Sequence, residues 1–335
     1  MGVKAYAAKS AKGKLEPFEY EPGPLGPDEV EVKVSHCGVC HSDIAMIDND
    51  WGWSKYPLVP GHEVVGTVAA LGAEVGDKVK AGQRVGVGWF AGSCQRCEWC
   101  FRGRENLCAK GRGTIVGRPG GWAESVRCHW KFAVPLPEAL PSEDAGPLMC
   151  AGSTVFTPMV VYGVESWMKT AVLGVGGLGH LAVQFLAKMG CEVTAISSSH
   201  DKDADVRKLG ATRFIATKGG NEVKKAAGSF DFILSTVSAD VPWADYVAAL
   251  RPQGRLVICG LPESDIRFPV VPLLAERSVS GGSSGSPSDT TRMLAFAART
   301  GVKPMTEQFA LQDVNSALDH VRSGKVRFRA VLAVP

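Results

Sequence analysis

Long apolar runs are missing from this sequence. No stretch approaches the roughly twenty residues that a spanning helix needs, and Lys188 interrupts the longest helical candidate, so no membrane partner is expected. A surplus of one charge is missing too. Lys and Arg total 37 against 34 Asp and Glu, which gives no electrostatic reason to expect nucleic acid or a membrane surface. Internal repeats, low-complexity tracts and long charge runs are also lacking. The first residues, MGVKAYAAKS, hold no apolar run of signal-peptide length, and Tyr6 stands where a myristoylation motif wants Ser or Thr. A cytoplasmic protein with small-molecule partners is the expectation. In that compartment the ten cysteines are expected to be thiols or metal ligands rather than disulfides.

With 335 residues, 45% of them apolar, the chain is long enough for about two domains, each with its own core. Residues 93–108 read SCQRCEWCFRGRENLC and bring Cys94, Cys97, Cys100 and Cys108 together in a C-x2-C-x2-C-x7-C spacing. A short loop with that spacing can fold back and present four thiolates tetrahedrally, the closed arrangement of a structural zinc site. A redox-active cysteine pair and a nucleic-acid finger are the alternatives. Neither accounts for four cysteines without histidine inside a long two-domain chain. An ion whose four positions are all filled by protein can tie down a lobe but cannot bind substrate, so the chemistry has to lie elsewhere.

Three distant segments supply a second set of ligands: Cys40 in HCGVCHSD, His62 in PGHEVVGTVAALGAEV and Cys150 in LMCAGSTVF. Two thiolates and an imidazole suit a catalytic zinc that keeps its fourth position for water or a substrate oxygen. Taken singly, each residue could equally be packed in a core.

From residue 169 the texture changes. KTAVLGVGGLGHLAVQFLAKMGCEVTAISSS reads as an apolar strand, a glycine turn, an amphipathic helix and a second strand, the opening of a doubly wound parallel sheet. Gly174, Gly176 and Gly179 follow a strand and precede a helix, so the turn formed with Gly177 and Leu178 is a candidate pyrophosphate site. Where an NAD site wants a carboxylate for the ribose diol, the second strand ends in Ser197, Ser198 and Ser199, with Lys202 shortly after. Hydroxyls and a cation there favour a 2'-phosphate and hence NADP(H), while nearby Asp201 is the best argument for NAD. Further strands are expected at FDFILSTV (230–237), GRLVICG (254–260) and near SVSGG (278–282), separated by helical or loop segments such as VPWADYVAAL. SGGSSGSPS (280–288) reads as flexible.

The spacing Gly61-His62-Glu63-x2-Gly66-x5-Gly72-x2-Val75, between the CHSD loop and the cysteine lobe, resembles the zinc-containing medium-chain alcohol dehydrogenases. Within them the chain is most similar to the cinnamyl alcohol dehydrogenase branch, including bacterial NADPH-dependent aldehyde reductases. The resemblance implies an α/β protein with a mainly β, GroES-like catalytic domain (1–150 and 286–335, zinc lobe at about 92–110) and a Rossmann-type dinucleotide domain (151–285). It implies two zinc ions per chain and a homodimer joined along a sheet edge. It also implies roles: Asp43 hydrogen-bonded to His62, Glu63 approaching the catalytic metal from behind, and Ser42 touching the alcohol oxygen. Thr154 would pack on the nicotinamide, and His41 and Arg329 would contact the pyrophosphate. Ala45 stands where many relatives continue the proton relay with histidine. Trp51 and Phe90 match pocket-lining positions, whereas Trp53 and Trp89 read as core rings.

These expectations add up to a reversible aldehyde reductase for apolar, aromatic or medium-length aldehydes. The rivals are an NAD-dependent zinc sugar or polyol dehydrogenase and a non-catalytic zinc or redox sensor that retains the fold.

Overall fold

Alternating valines build the longest strand. In Glu29–Val39 the side chains of Val30, Val32 and Val34 are buried while Lys33 is exposed, the period-two pattern of a strand with one face on a core. This comes from a computed structural model that describes residues 2–198, 200–218, 220–262 and 264–335. The chain divides into two units. One comprises the chain up to Cys150 with Gly285–Arg299 and Lys303–Pro335, the other Ala151–Ser284 with Thr300–Val302.

In the first unit, Glu29–Val39 lies between Arg329–Ala333 and Val64–Leu71 in a seven-stranded sheet, antiparallel to both. Cys37 is opposite Leu332 on one side and Val64 on the other. Because the neighbours run antiparallel, the chain leaves the central strand and enters its two neighbours at one margin of the sheet. Cys40, Glu63 and Arg329 are therefore delivered to the same margin by three adjacent strands. The helix Ser142–Pro147 packs over those strands and leads into the π-type turn Leu148–Gly152, which carries Cys150. π-Turns widen a helix locally and recur at functional sites. The cysteine-rich segment forms a lobe based on the paired strands Phe90–Gly92 and Arg112–Gly113, with the short helix Glu98–Phe101 between them.

The second unit is a six-stranded, all-parallel sheet. Its order is Arg213–Ala216, Glu192–Ser197, Lys169–Leu173, Phe230–Ser235, Leu250–Ile258 and Ser278–Gly281. In sequence terms that is 3-2-1-4-5-6, the doubly wound order, so the fold class read from the sequence holds. The strand Arg213–Ala216 was not anticipated. It is a four-residue edge strand without one fully buried side chain, and so carries little apolar signal. The segment VPWADYVAAL, open between helix and loop, forms the helix Trp243–Ala249.

The serine-glycine stretch at 280–288 is not a loose linker. Gly282 N–H donates to the Ile258 carbonyl, Ser284 Oγ lies 2.8 Å from Thr154 Oγ1, and buried Ser286 accepts from the Asp289 N–H at the start of Pro287–Thr300. Composition suggested flexibility because serine and glycine carry no core-forming side chains; here their hydroxyls and amides serve as hydrogen-bonding groups instead. Among the described residues no helix is long and apolar enough to cross a membrane.

Candidate active site

Cys40, His62, Glu63 and Cys150 each present a ligand atom, all within 4.8 Å of one another, and all four are buried. His62 Nε2 lies 3.2 Å from Cys150 Sγ. Its other ring nitrogen, Nδ1, is 2.8 Å from Asp43 Oδ1, with both side chains fully buried. The carboxylate can only accept, so Nδ1 carries the proton and the Nε2 lone pair is turned into the cluster.

Asp43 does more than fix a tautomer. Oδ2 accepts the Cys40 N–H over 3.0 Å, and Oδ1 also accepts the Gly61 N–H over 2.9 Å. One carboxylate thus ties together the two backbone segments that carry Cys40 and His62. Replacing it by Asn would set an NH2 group against one of three donors. Asp43→Asn is therefore expected to lower affinity for a metal ion held by Cys40, His62 and Cys150 by about 10–100-fold, measured by competition with a chelator. Unchanged affinity would contradict this role.

Glu63 and Arg329 complete the buried charge balance. Arg329, assigned by resemblance to the pyrophosphate, is 3% exposed and donates through Nη2 to Glu63 Oε1, a partnership absent from the sequence reading. Glu63 Oε2 is buried without a hydrogen-bond partner. The space it occupies exists because residue 38 is glycine: a Cβ there would come within 1.9 Å of that oxygen. Burial lifts Glu63 to about 7 against the pull of Arg329. The hydrogen bond from Cys150 holds the Cys40 thiol well below its usual range, against burial, and Cys150 is pushed up in turn. Burial alone would lower the pKa of Arg329; Glu63, Cys40 and Cys150 outweigh it and raise it. Two sulfurs, an imidazole nitrogen and an orphaned carboxylate oxygen are a donor set suited to zinc.

The second cluster, Cys94, Cys97, Cys100 and Cys108, has Sγ–Sγ separations of 3.5 Å (Cys94 to Cys108), 3.6 Å (Cys97 to Cys100) and 4.0 Å (Cys94 to Cys100). Four thiolates at about 2.3 Å around a tetrahedral zinc stand about 3.8 Å apart, so the set fits that ion. Ser93 Oγ, itself accepting from Gln95 Nε2, is 3.2 Å from Cys100 Sγ. All ten cysteines are unbridged.

The other candidate residues distribute unevenly. Ser42 is half-buried and His41 exposed in the first turn of His41–Asp48. Trp51 lies between Trp53, whose ring is tilted to it at 5.4 Å, and Trp89, which it meets edge to face at 6.0 Å. Trp53, read as a core ring, is 57% exposed, because it follows the helix on a surface turn. Trp89 meets the His62 ring edge to face at 5.1 Å, whereas the carbons of the Phe90 ring lie close beside Gly111 in the cysteine lobe. Both rings also pack against the core of the first unit, as expected for Trp89.

In the second unit, Thr154 Oγ1 is paired with Ser284. Gly179 could not carry a side chain, since a Cβ there would fall 1.9 Å from the Gly174 carbonyl oxygen, while nothing lies within 4 Å of a Cβ at Gly176. One glycine is required by packing and the other borders open space that a ligand's phosphate can enter. Gly177 and Leu178 lie between them, partly exposed. At the end of the second strand Ser197 is buried, Ser198 is exposed, and Lys202 donates to the Val175 carbonyl. Ser199 lies outside the described residues.

Two family models match the chain: an alcohol dehydrogenase GroES-like domain over residues 26–138 and a zinc-binding dehydrogenase over residues 177–299. Aldehyde reductase AdhA of Synechocystis sp. is 48% identical over 332 residues, covering 99% of this chain and 98% of that protein. Cinnamyl alcohol dehydrogenase 2 of Arabidopsis thaliana is 40% identical over 341 residues, covering 98% of this chain and 90% of that protein. Among solved structures, a cinnamyl alcohol dehydrogenase of Sorghum bicolor matches with a TM-score of 0.94 at 38% identity, covering 99% and 98% of the two chains. CAD of Helicobacter pylori, complexed with NADP(H), matches with a TM-score of 0.90 at 28% identity, also covering 99% and 98%.

Proposed function

The chain belongs to the cinnamyl alcohol dehydrogenase and aldehyde reductase family of zinc-binding dehydrogenases, and from that premise we propose that it reduces aldehydes reversibly to primary alcohols with zinc and NADPH. The observation that carries this reading is the convergence of Cys40, His62, Glu63 and Cys150, with one carboxylate oxygen left unpartnered among them.

When bound, zinc supplies a Lewis acid to the carbonyl oxygen and the reduced nicotinamide supplies the hydride. The side chains do the rest. Asp43 holds His62 and the Cys40 backbone in register, so the ligands are set before substrate arrives. Ser42 gives a proton to the product oxygen in reduction and takes it in oxidation, since a hydroxyl both donates and accepts. The tryptophan file from exposed Trp53 through Trp51 to Trp89, against His62, supports an apolar or aromatic aldehyde as substrate. His41, Arg329 and Thr154 remain our candidates for cofactor contacts, and Trp51 and Phe90 for the pocket. The cysteine lobe takes a second, structural zinc.

Exposed Ser198 and the ammonium of Lys202 support NADPH over NADH. Ser198→Asp puts a carboxylate against the 2'-phosphate. It should shift the ratio of kcat/KM for NADPH over NADH by on the order of 100-fold toward NADH; an unmoved ratio would show that this residue does not read the phosphate. The function itself is tested by following reduced-cofactor absorbance with cinnamaldehyde, benzaldehyde, hexanal and glucose-type substrates, each with NADPH and NADH. Faster turnover with NADH on polyols overturns the proposal.

We further propose a homodimer formed at the sheet-edge strand Ser278–Gly281. The exposed side chains of Val270, Val271 and Leu274, which precede that strand, support it. Unbridged cysteines accord with a reducing, cytoplasmic setting.

A further inference from the structure

Three successive carbonyl oxygens of the glycine turn are each engaged by a side chain from a different part of the second unit. Thr236, just past the strand Phe230–Ser235, donates from Oγ1 to the Gly174 carbonyl over 2.9 Å. Lys202 donates from Nζ to the Val175 carbonyl over 2.6 Å. His180, in the helix Gly179–Lys188, has Nδ1 3.1 Å from the Gly176 carbonyl. A carbonyl oxygen only accepts, so Nδ1 of His180 carries the proton.

The consequence follows from peptide geometry. In a trans peptide the C=O of one residue and the N–H of the next point in opposite directions, so fixing the carbonyls of Gly174, Val175 and Gly176 also fixes the amides of Val175, Gly176 and Gly177. Those are consecutive donors at the start of a helix, beside the open space at Gly176. A turn held this way is ordered before the ligand arrives and does not lose that freedom on binding.

We propose that Thr236, Lys202 and His180 are positioning residues that preset the glycine turn for a dinucleotide pyrophosphate, and that Lys202 serves dinucleotides with and without a 2'-phosphate. The proposal rests on the dinucleotide reading given above. An ammonium has three donors, so Lys202 can keep the Val175 carbonyl while reaching toward a phosphate. Its role is then double: it reads one cofactor and shapes the site for both.

The test measures NADPH and NADH dissociation constants, by the fluorescence of the reduced nicotinamide, on the full-length enzyme and on Thr236→Val, Thr236→Ser, Lys202→Met and His180→Phe. Losing one hydrogen bond that orders the turn should weaken both cofactors by about fivefold in Thr236→Val and His180→Phe. The cofactor KM should rise while kcat at saturating cofactor stays put, and Thr236→Ser, which keeps the hydroxyl, should bind like wild type. Lys202→Met should weaken NADPH most, but NADH as well, by about fivefold. Lys202 is partly exposed, so this variant remains informative even if a substitution at buried His180 fails to fold. If wild type binds both cofactors and Lys202→Met leaves NADH unchanged, the double role is overturned while the dinucleotide site stands. Unchanged binding in Thr236→Val and His180→Phe would likewise remove those two residues. Wild-type protein that binds neither cofactor would overturn the dinucleotide reading itself.

Discussion

Cys150→Ser is expected to lower aldehyde turnover by roughly 10³-fold or more while the protein melts within a few degrees of wild type. A Lewis acid stabilises developing negative charge by several kcal/mol, and each 1.36 kcal/mol is about tenfold in rate. Serine is smaller than cysteine, neutral at working pH and a poor zinc ligand beside a thiolate and an imidazole. The loss should therefore fall on metal occupancy at this site. The fold should survive because the surroundings are held by other contacts: Asp43 still joins Cys40, Gly61 and His62, and Arg329 still neutralises Glu63. Steady-state kinetics, metal analysis and a thermal melt together check this. Retained turnover with one metal fewer would show that chemistry does not run through this site.

Cys97→Ser should fail in the opposite way, losing stability first. The cysteine lobe has little apolar core of its own: Trp99 is 40% exposed, Phe101 79% and Leu107 44%. A segment whose large apolar side chains face outward depends on its cross-link, as small metal-bound domains do. Loss of a structural metal belongs to the short list of changes that cost about 4 kcal/mol or more, which corresponds to a fall in melting temperature on the order of 10 °C. Metal content should drop from two ions per chain to one. Equal unfolding of Cys97→Ser and Cys150→Ser would contradict the division between a structural and a chemical site.

What could be read in the sequence depended on how far apart the partners lie. The cysteine lobe was legible because four ligands within fifteen positions define their own geometry. Cys40, His62 and Cys150 were legible as ligand types, with segment order supplying the grouping. The Arg329–Glu63 pair was not, because it spans 266 positions and arises only from strand register. Of the residues that hold the glycine turn, Lys202 was legible only as a cation for a 2'-phosphate, and Thr236 and His180 were not legible at all, because the motif advertises its glycines whereas these side chains act on backbone oxygens that no spacing reveals.

The three strand ends that deliver Cys40, Glu63 and Arg329 to one sheet margin also bear on how the protein folds. The ligands of the lobe are closed by loops of at most 14 positions, a local search that a partly folded chain completes quickly. The cluster of Cys40, His62, Glu63 and Cys150 requires contacts across 88 positions, between His62 and Cys150, and its charge balance one across 266, between Glu63 and Arg329. Longer loops cost more entropy to close. The four cysteines of the lobe are therefore expected to come together before Cys40, His62, Glu63 and Cys150 do.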